Sequence, residues 1–293
     1  MQRISLIPYS CGSGAKNQSC RDAPGYLRRL GLAEALKSDE LEARWLDDIE
    51  VKGKNLDDIS NVVQHCFNLK NQVQDVLKSG GFPITIGGDH SMAIGTWAGV
   101  ADSLHTRRKL GLIWIDAHMD SHTSETSHSS NVHGMPISYL LGYGNDVLTD
   151  ITLGKPVIVP YQLCLIGVRS FEAEEAALLD KLGAKVFMMD EVRARGLNNV
   201  MLEAVKIASA HTAGFGISID VDGFDPADAP GTGTTEAGGI LKNEFIEAVQ
   251  SSLSGYKESL LALEIAEYNH HLDKDNITAY LIKDIVAAIL RCC

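Results

Sequence analysis

No stretch of the 293 residues stays apolar for the ~18–20 positions that a membrane-spanning helix needs, and the opening MQRISLIPYS lacks the long apolar segment of a secretion signal. A cytoplasmic protein with no membrane partner is therefore the expectation. The six cysteines, at positions 11, 20, 66, 164, 292 and 293, show no CxxC and no zinc-finger spacing, which predicts reduced thiols rather than a disulfide framework. Positive charge is scarce: 26 Lys and Arg stand against 38 Asp and Glu, a formal net charge of -12, which weighs against nucleic acid as a partner. Internal repeats, low-complexity tracts and linkers are missing too. What is present is 45% apolar content, enough for one large core, and a single domain over 1–293 is the economical reading. The surplus of acids leaves room for a cluster that binds metal cations.

Short apolar runs alternate with amphipathic patterns along the chain. Strands are predicted at 4–9, 82–88, 110–116, 163–168, 184–189, 214–220 and 259–266. Helices are predicted at about 24–37, 92–104, 134–142, 172–183, 197–210, 242–254 and 274–291. Another follows from Val62, Cys66, Leu69, Val73 and Val76, whose steps of four and three give one apolar stripe, closed by Gly80–Gly81. Near-continuous hydrophobic strands are buried on both faces, and their alternation with helices makes them parallel. The fold class is α/β, a mostly parallel sheet flanked by helices on both faces. Such sheets bind ligands beyond the carboxyl ends of their strands.

Charged residues follow four of the predicted strands. GGDHS places His90 after the first, and WIDAHMD places Asp116, His118 and Asp120 after the second. SIDVDGFDP places Asp220 and Asp222 after the third, and Glu267 ends the fourth. Residues two apart in extended backbone face one side, so each group can converge. Burying four carboxylates together costs several kcal/mol unless positive charge offsets them. Two imidazoles with four carboxylates exceed what one divalent ion needs and suit two. Such a mixed nitrogen and oxygen set fits manganese best, with iron, cobalt, nickel or zinc as alternatives. A metal pair roughly 3.5–4 Å apart lowers the pKa of a shared water, which is hydrolytic chemistry.

GGDHS, WIDAHMD and SIDVDGFDP resemble the three signature segments of the ureohydrolase family, and arginases most closely. The resemblance runs from about residue 8 to about 289. It implies an arginase-type three-layer fold, a dimanganese centre, and hydrolysis of a guanidino group to urea and an amine. By position, one metal takes His90, Asp116, Asp120 and Asp220. The other takes His118, Asp116, Asp220 and Asp222. Asp120 is placed to move a proton, Glu267 to orient the guanidinium, and His133 matches the family's mobile histidine. Ser127, Ser129 and Asn131, in the polar loop 121–132, match the arginase positions that hold an α-carboxylate. Glu172 and Glu175 fall where arginases place acids near an α-ammonium, and Thr234 matches a position near the substrate.

Two departures bear on the substrate: His122 replaces an asparagine used on the α-carboxylate, and Glu172 is longer than the usual aspartate. The leading expectation is conversion of L-arginine to L-ornithine and urea. The alternative is an agmatinase- or guanidinobutyrase-type enzyme. A single-zinc deacetylase is disfavoured by the paired aspartates, and an inactive metal-binding protein by the intact ligand set. The family resemblance also implies a homo-oligomer, trimeric or hexameric.

Overall fold

The apolar runs become strands. A computed structural model describes residues 2–51, 57–104, 109–144 and 147–292; Cys293 and the ends of the 1–293 range lie outside them. Among the described residues, eight strands form one sheet: β1 (Gln2–Tyr9), β2 (Leu41–Trp45), β3 (Phe82–Gly87), β4 (Leu110–Ile115), β5 (Ile158–Val168), β6 (Lys185–Met188), β7 (Gly214–Asp220) and β8 (Leu260–Ala266). Their spatial order is β2-β1-β3-β8-β7-β4-β5-β6. Every pairing between these strands is parallel.

Strands β3, β4 and β7 are buried at every position, so both faces must be covered by helices. Two apolar cores result. One packs Ile113, Ile217 and Leu263 beneath the helices Leu197–Ser209, Lys242–Ser252 and Ile277–Cys292. The other packs Leu112, Trp114 and Ala262 beneath Asp58–Lys78 and Met92–Asp102. The predicted stripe of the first of these latter helices is fully seated, with Val62, Cys66, Leu69 and Val73 at 0% exposure. Each such side chain contributes roughly 1.5–3 kcal/mol on burial. The five described cysteines are free thiols. Among the described residues, no helix is long and apolar enough to cross a membrane.

Three details differ from the sequence-based expectation. The predicted helix 24–37 is two, Ala23–Arg29 and Leu32–Leu36, because Gly31 turns into the left-handed region at φ 77. A short helix, Met189–Arg195, follows β6 directly, and β2 had no expected counterpart.

Candidate metal centre

The four strands predicted to end in charged groups are neighbours in the sheet, in the order β3-β8-β7-β4. Their carboxyl ends therefore face one shared crevice. At the exit of β3, Gly88 lies against the N-terminal loop: a Cβ there would sit 1.6 Å from the Cys11 carbonyl oxygen, so no larger residue fits. That contact delivers Asp89 and His90. Buried Asp89 accepts the Gly14 and Ser91 N–H groups, which ties the loop down.

His90 is fully buried, and its Nδ1 has no hydrogen-bond partner. Three carboxylate oxygens nevertheless surround that nitrogen: Asp120 Oδ2 at 3.1 Å, Asp220 Oδ2 at 3.2 Å and Asp116 Oδ2 at 3.3 Å. The other ring nitrogen is committed. Ser218 donates its hydroxyl hydrogen to Glu264 at 2.6 Å, so its oxygen accepts from His90 Nε2 at 2.9 Å. Trp97 donates to the same Glu264 oxygen. This chain of bonds places the ring hydrogen on Nε2 and leaves Nδ1 with a lone pair among three carboxylates. Trp114 stacks on the ring at 4.1 Å and donates its indole N–H to Asp116.

A second group adjoins the first. His118 Nδ1 lies 3.2 Å from Asp222 Oδ2 and 3.5 Å from Asp116 Oδ1. Asp116 thus belongs to both sets of potential ligands, His90–Asp116–Asp120–Asp220 and Asp116–His118–Asp222. Asp220 stands with His90 through Oδ2, while its Oδ1 accepts the Asp222 N–H. Thr234 donates to Asp222, steadying the carboxylate that His118 faces.

These donors fit a pair of divalent cations. Four buried carboxylates crowd together, and burial together with the Asp116 charge pushes Asp120 up to about 6. Burial, Asp222 and Asp116 likewise push Asp220 well above its ordinary range. Cations held by these carboxylates and imidazoles would offset both penalties.

Glu267 is buried and joins the two remaining parts of the site. Its Oε1 accepts the His90 backbone N–H at 2.9 Å and His133 Nδ1 at 3.0 Å. Burial opposes a charged His133, but Glu267 outweighs it and lifts the imidazole to about 9. Both Asp120 and Glu267 have left-handed backbone, φ 46 and φ 63. Such strain is characteristic of functional positions. Here it is held by Ile137 N–H on the Asp120 carbonyl and by Glu267 N–H on the Gly88 carbonyl.

A cavity of about 220 Å³ opens over both sets, lined by His118, Asp120, Asp220, Asp222, His133 and Thr234 within. Ser127, Ser129, His122, His128, Glu172 and Glu175 line its other walls. Asn131 is not among the lining residues; its N–H instead bonds the Ser129 hydroxyl oxygen. Glu172 caps the helix Ala173–Leu182 in a reciprocal box with Glu175. Burial pushes Glu175 up to about 8.

Sequence reasoning missed Ser218, Glu264, Trp97 and Arg169. Arg169 donates to six backbone carbonyls, those of Gly167, Asp222, Gly223, Phe224, Glu236 and Ala237. It thereby pins the loop that carries Asp222 and Thr234 to the end of β5.

The sequence pattern of the arginase family matches residues 2–292. The chain belongs to the arginase family. Within that family it is 37% identical to an arginase of Bacillus caldovelox over 289 residues, 95% of each chain. It is 32% identical to human arginase-1, covering 99% of this chain and 92% of that one. The crystal structure of Bacillus subtilis arginase superposes with a TM-score of 0.90 at 34% identity, covering 99% of this chain and 98% of that one. As a member of the arginase family, this chain is a hydrolase of the guanidino C–N bond, and its two histidine–aspartate sets suit a binuclear divalent centre.

Proposed function

We propose that this chain hydrolyses L-arginine to L-ornithine and urea. His90, Asp116, Asp120 and Asp220 would hold one cation, and His118, Asp116, Asp220 and Asp222 the other. Manganese is the metal that such a donor set suits best. When bound, the two cations supply Lewis acidity and bring the ionisation of water to neutral pH. The chain's own side chains do the rest. Glu267 orients the guanidinium through Oε2, since Oε1 is taken by His90 and His133. Asp120 accepts a proton from the attacking water and passes it to the leaving amine. His133, held protonated by Glu267, exchanges protons between the site and solvent. Ser127 and Ser129 receive the α-carboxylate, with the Asn131 N–H holding the Ser129 hydroxyl oxygen. Glu172 and Glu175 receive the α-ammonium, and Thr234 fixes Asp222 beside the substrate.

One observation carries this reading: both ligand sets open into a single cavity that is walled by hydroxyls and by two glutamates. The test is urea release by the manganese-loaded chain from L-arginine, agmatine and 4-guanidinobutyrate in parallel. Preference for L-arginine supports the reading; preference for either other compound leaves hydrolysis standing and overturns the substrate. We further propose one domain over 1–293, a cytoplasmic location and a trimeric or hexameric assembly, the last checked by light scattering.

A further inference from the structure

The mouth of the cavity holds an arrangement that the proposed reaction does not use. His122 Nε2 lies 3.1 Å from Glu172 Oε2 and 3.6 Å from Glu175 Oε2. A carboxylate only accepts, so Nε2 is the donor. The opposite nitrogen, Nδ1, meets the Thr126 hydroxyl at 3.1 Å. The ring is therefore held from both sides with its N–H between the two glutamates. Those carboxylates are otherwise occupied from below, because each accepts a backbone N–H of the capping box and Glu175 also accepts that of Ser121. His128 stands edge-on to His122 at 6.5 Å, adding a second imidazole to the same wall.

Glu172 and Glu175 are the groups assigned above to a substrate α-ammonium. An ammonium would donate to the same Glu172 Oε2 that the His122 N–H now faces. We propose that His122 stands in for the substrate's α-ammonium, so that this chain reads the α-carboxylate more strongly than the α-amino group. This inference rests on the ureohydrolase reading above and refines its substrate class to ω-guanidino acids. A substrate with an α-ammonium must displace the ring from Glu172. A guanidino acid without one meets a Glu172 whose charge the imidazole N–H already offsets, and Ser127 and Ser129 line the same cavity for its carboxylate.

The test is steady-state urea release by the full, manganese-loaded chain with L-arginine and 4-guanidinobutyrate, comparing wild type, His122→Asn and Thr126→Val. A hydrogen bond to a charged group, once freed for the substrate, corresponds to a change of about tenfold or more in affinity. His122→Asn is expected to raise the arginine-to-guanidinobutyrate ratio of kcat/KM by about that factor. The change should lie in KM: lower for L-arginine, higher for 4-guanidinobutyrate, which then faces the Glu172 carboxylate without its imidazole partner. Thr126→Val, which keeps the ring and removes its rear anchor, should move the ratio the same way by less. A ratio within twofold of wild type in both variants overturns the inference. So does an equal fall on both substrates, which is what a purely structural role predicts. Absence of urea from both substrates with wild type overturns the hydrolase reading itself, before any variant is compared.

Discussion

Replacing Ser218 with alanine tests how the protein prepares His90 for a metal. The hydroxyl accepts from His90 Nε2 at 2.9 Å and donates to Glu264 at 2.6 Å, and all three residues are fully buried. Ser218→Ala removes both bonds with no route for bulk water. An orphaned buried polar group costs about 1–3 kcal/mol. The ring has a cheaper alternative: it can move its hydrogen to Nδ1, where three aspartate oxygens lie within 3.3 Å. That tautomer satisfies the ring and blocks the donor atom. Cation binding at the His90 set must then reverse the shift, weakening affinity there about 10- to 100-fold. The His118 set does not touch Ser218 and should keep its affinity. Competition titration of manganese against a fluorescent chelator, read as two classes of site, separates the two. Two unchanged affinities in a folded Ser218→Ala variant would refute the tautomer argument. Equal weakening of both would show general loosening instead.

Stripping the metals with a chelator should lower Tm, because the crowded carboxylates lose their counter-charge; readdition should restore about 2.7 kcal/mol at a free concentration 100 times Kd, followed by calorimetry. In the stripped protein the His133–Glu267 pair adds a pH dependence. His133 titrates at about 9 when folded. Its contribution to stability is therefore full below the ordinary histidine value near 6.5 and lost as pH rises through about 9. Denaturant midpoints should fall across that interval, and His133→Asn should remove that part of the fall; an unaltered slope would discard the pairing. Gly88→Ala should leave little folded protein, as judged by circular dichroism, since its methyl carbon would overlap the Cys11 carbonyl at 1.6 Å. Wild-type stability in that variant would show that the N-terminal loop can retreat.

The seven predicted strands are all present, and six of them are apolar runs buried over most of their length, a pattern that a covered parallel sheet explains; the seventh, β6, is a four-residue edge strand in which only Phe187 is buried. β2 escaped notice because LEARW lies at the sheet edge, where only Ala43 is buried and polar residues are tolerated. The six histidines and aspartates were legible for the opposite reason: charges at alternate positions after an apolar run have no structural use inside a sheet. Ser218 and Glu264 were not, since each sits within a strand whose pattern reads as core. Their partners come from other elements of the fold, and no local spacing encodes that. Arg169 was silent too, because its work is done on backbone carbonyls and leaves no motif. Asn131 shows the limit of positional matching: it sits on the expected loop, yet it is absent from the cavity wall.

The place of β8 has a consequence for synthesis. Of the eight strands it is reached last along the chain, yet it inserts between β3 and β7 in the middle of the sheet. Glu267, at its end, bonds His90 across 177 residues. A nascent chain lacking β8 holds two half-sheets with a vacant slot between them, and its His90 set is split across that slot from Asp116 and Asp220. The full His90 set is thus assembled only when the final strand docks. In a pulse-chase of synthesis, metal uptake at the His90 set would time the completion of the fold rather than accompany it.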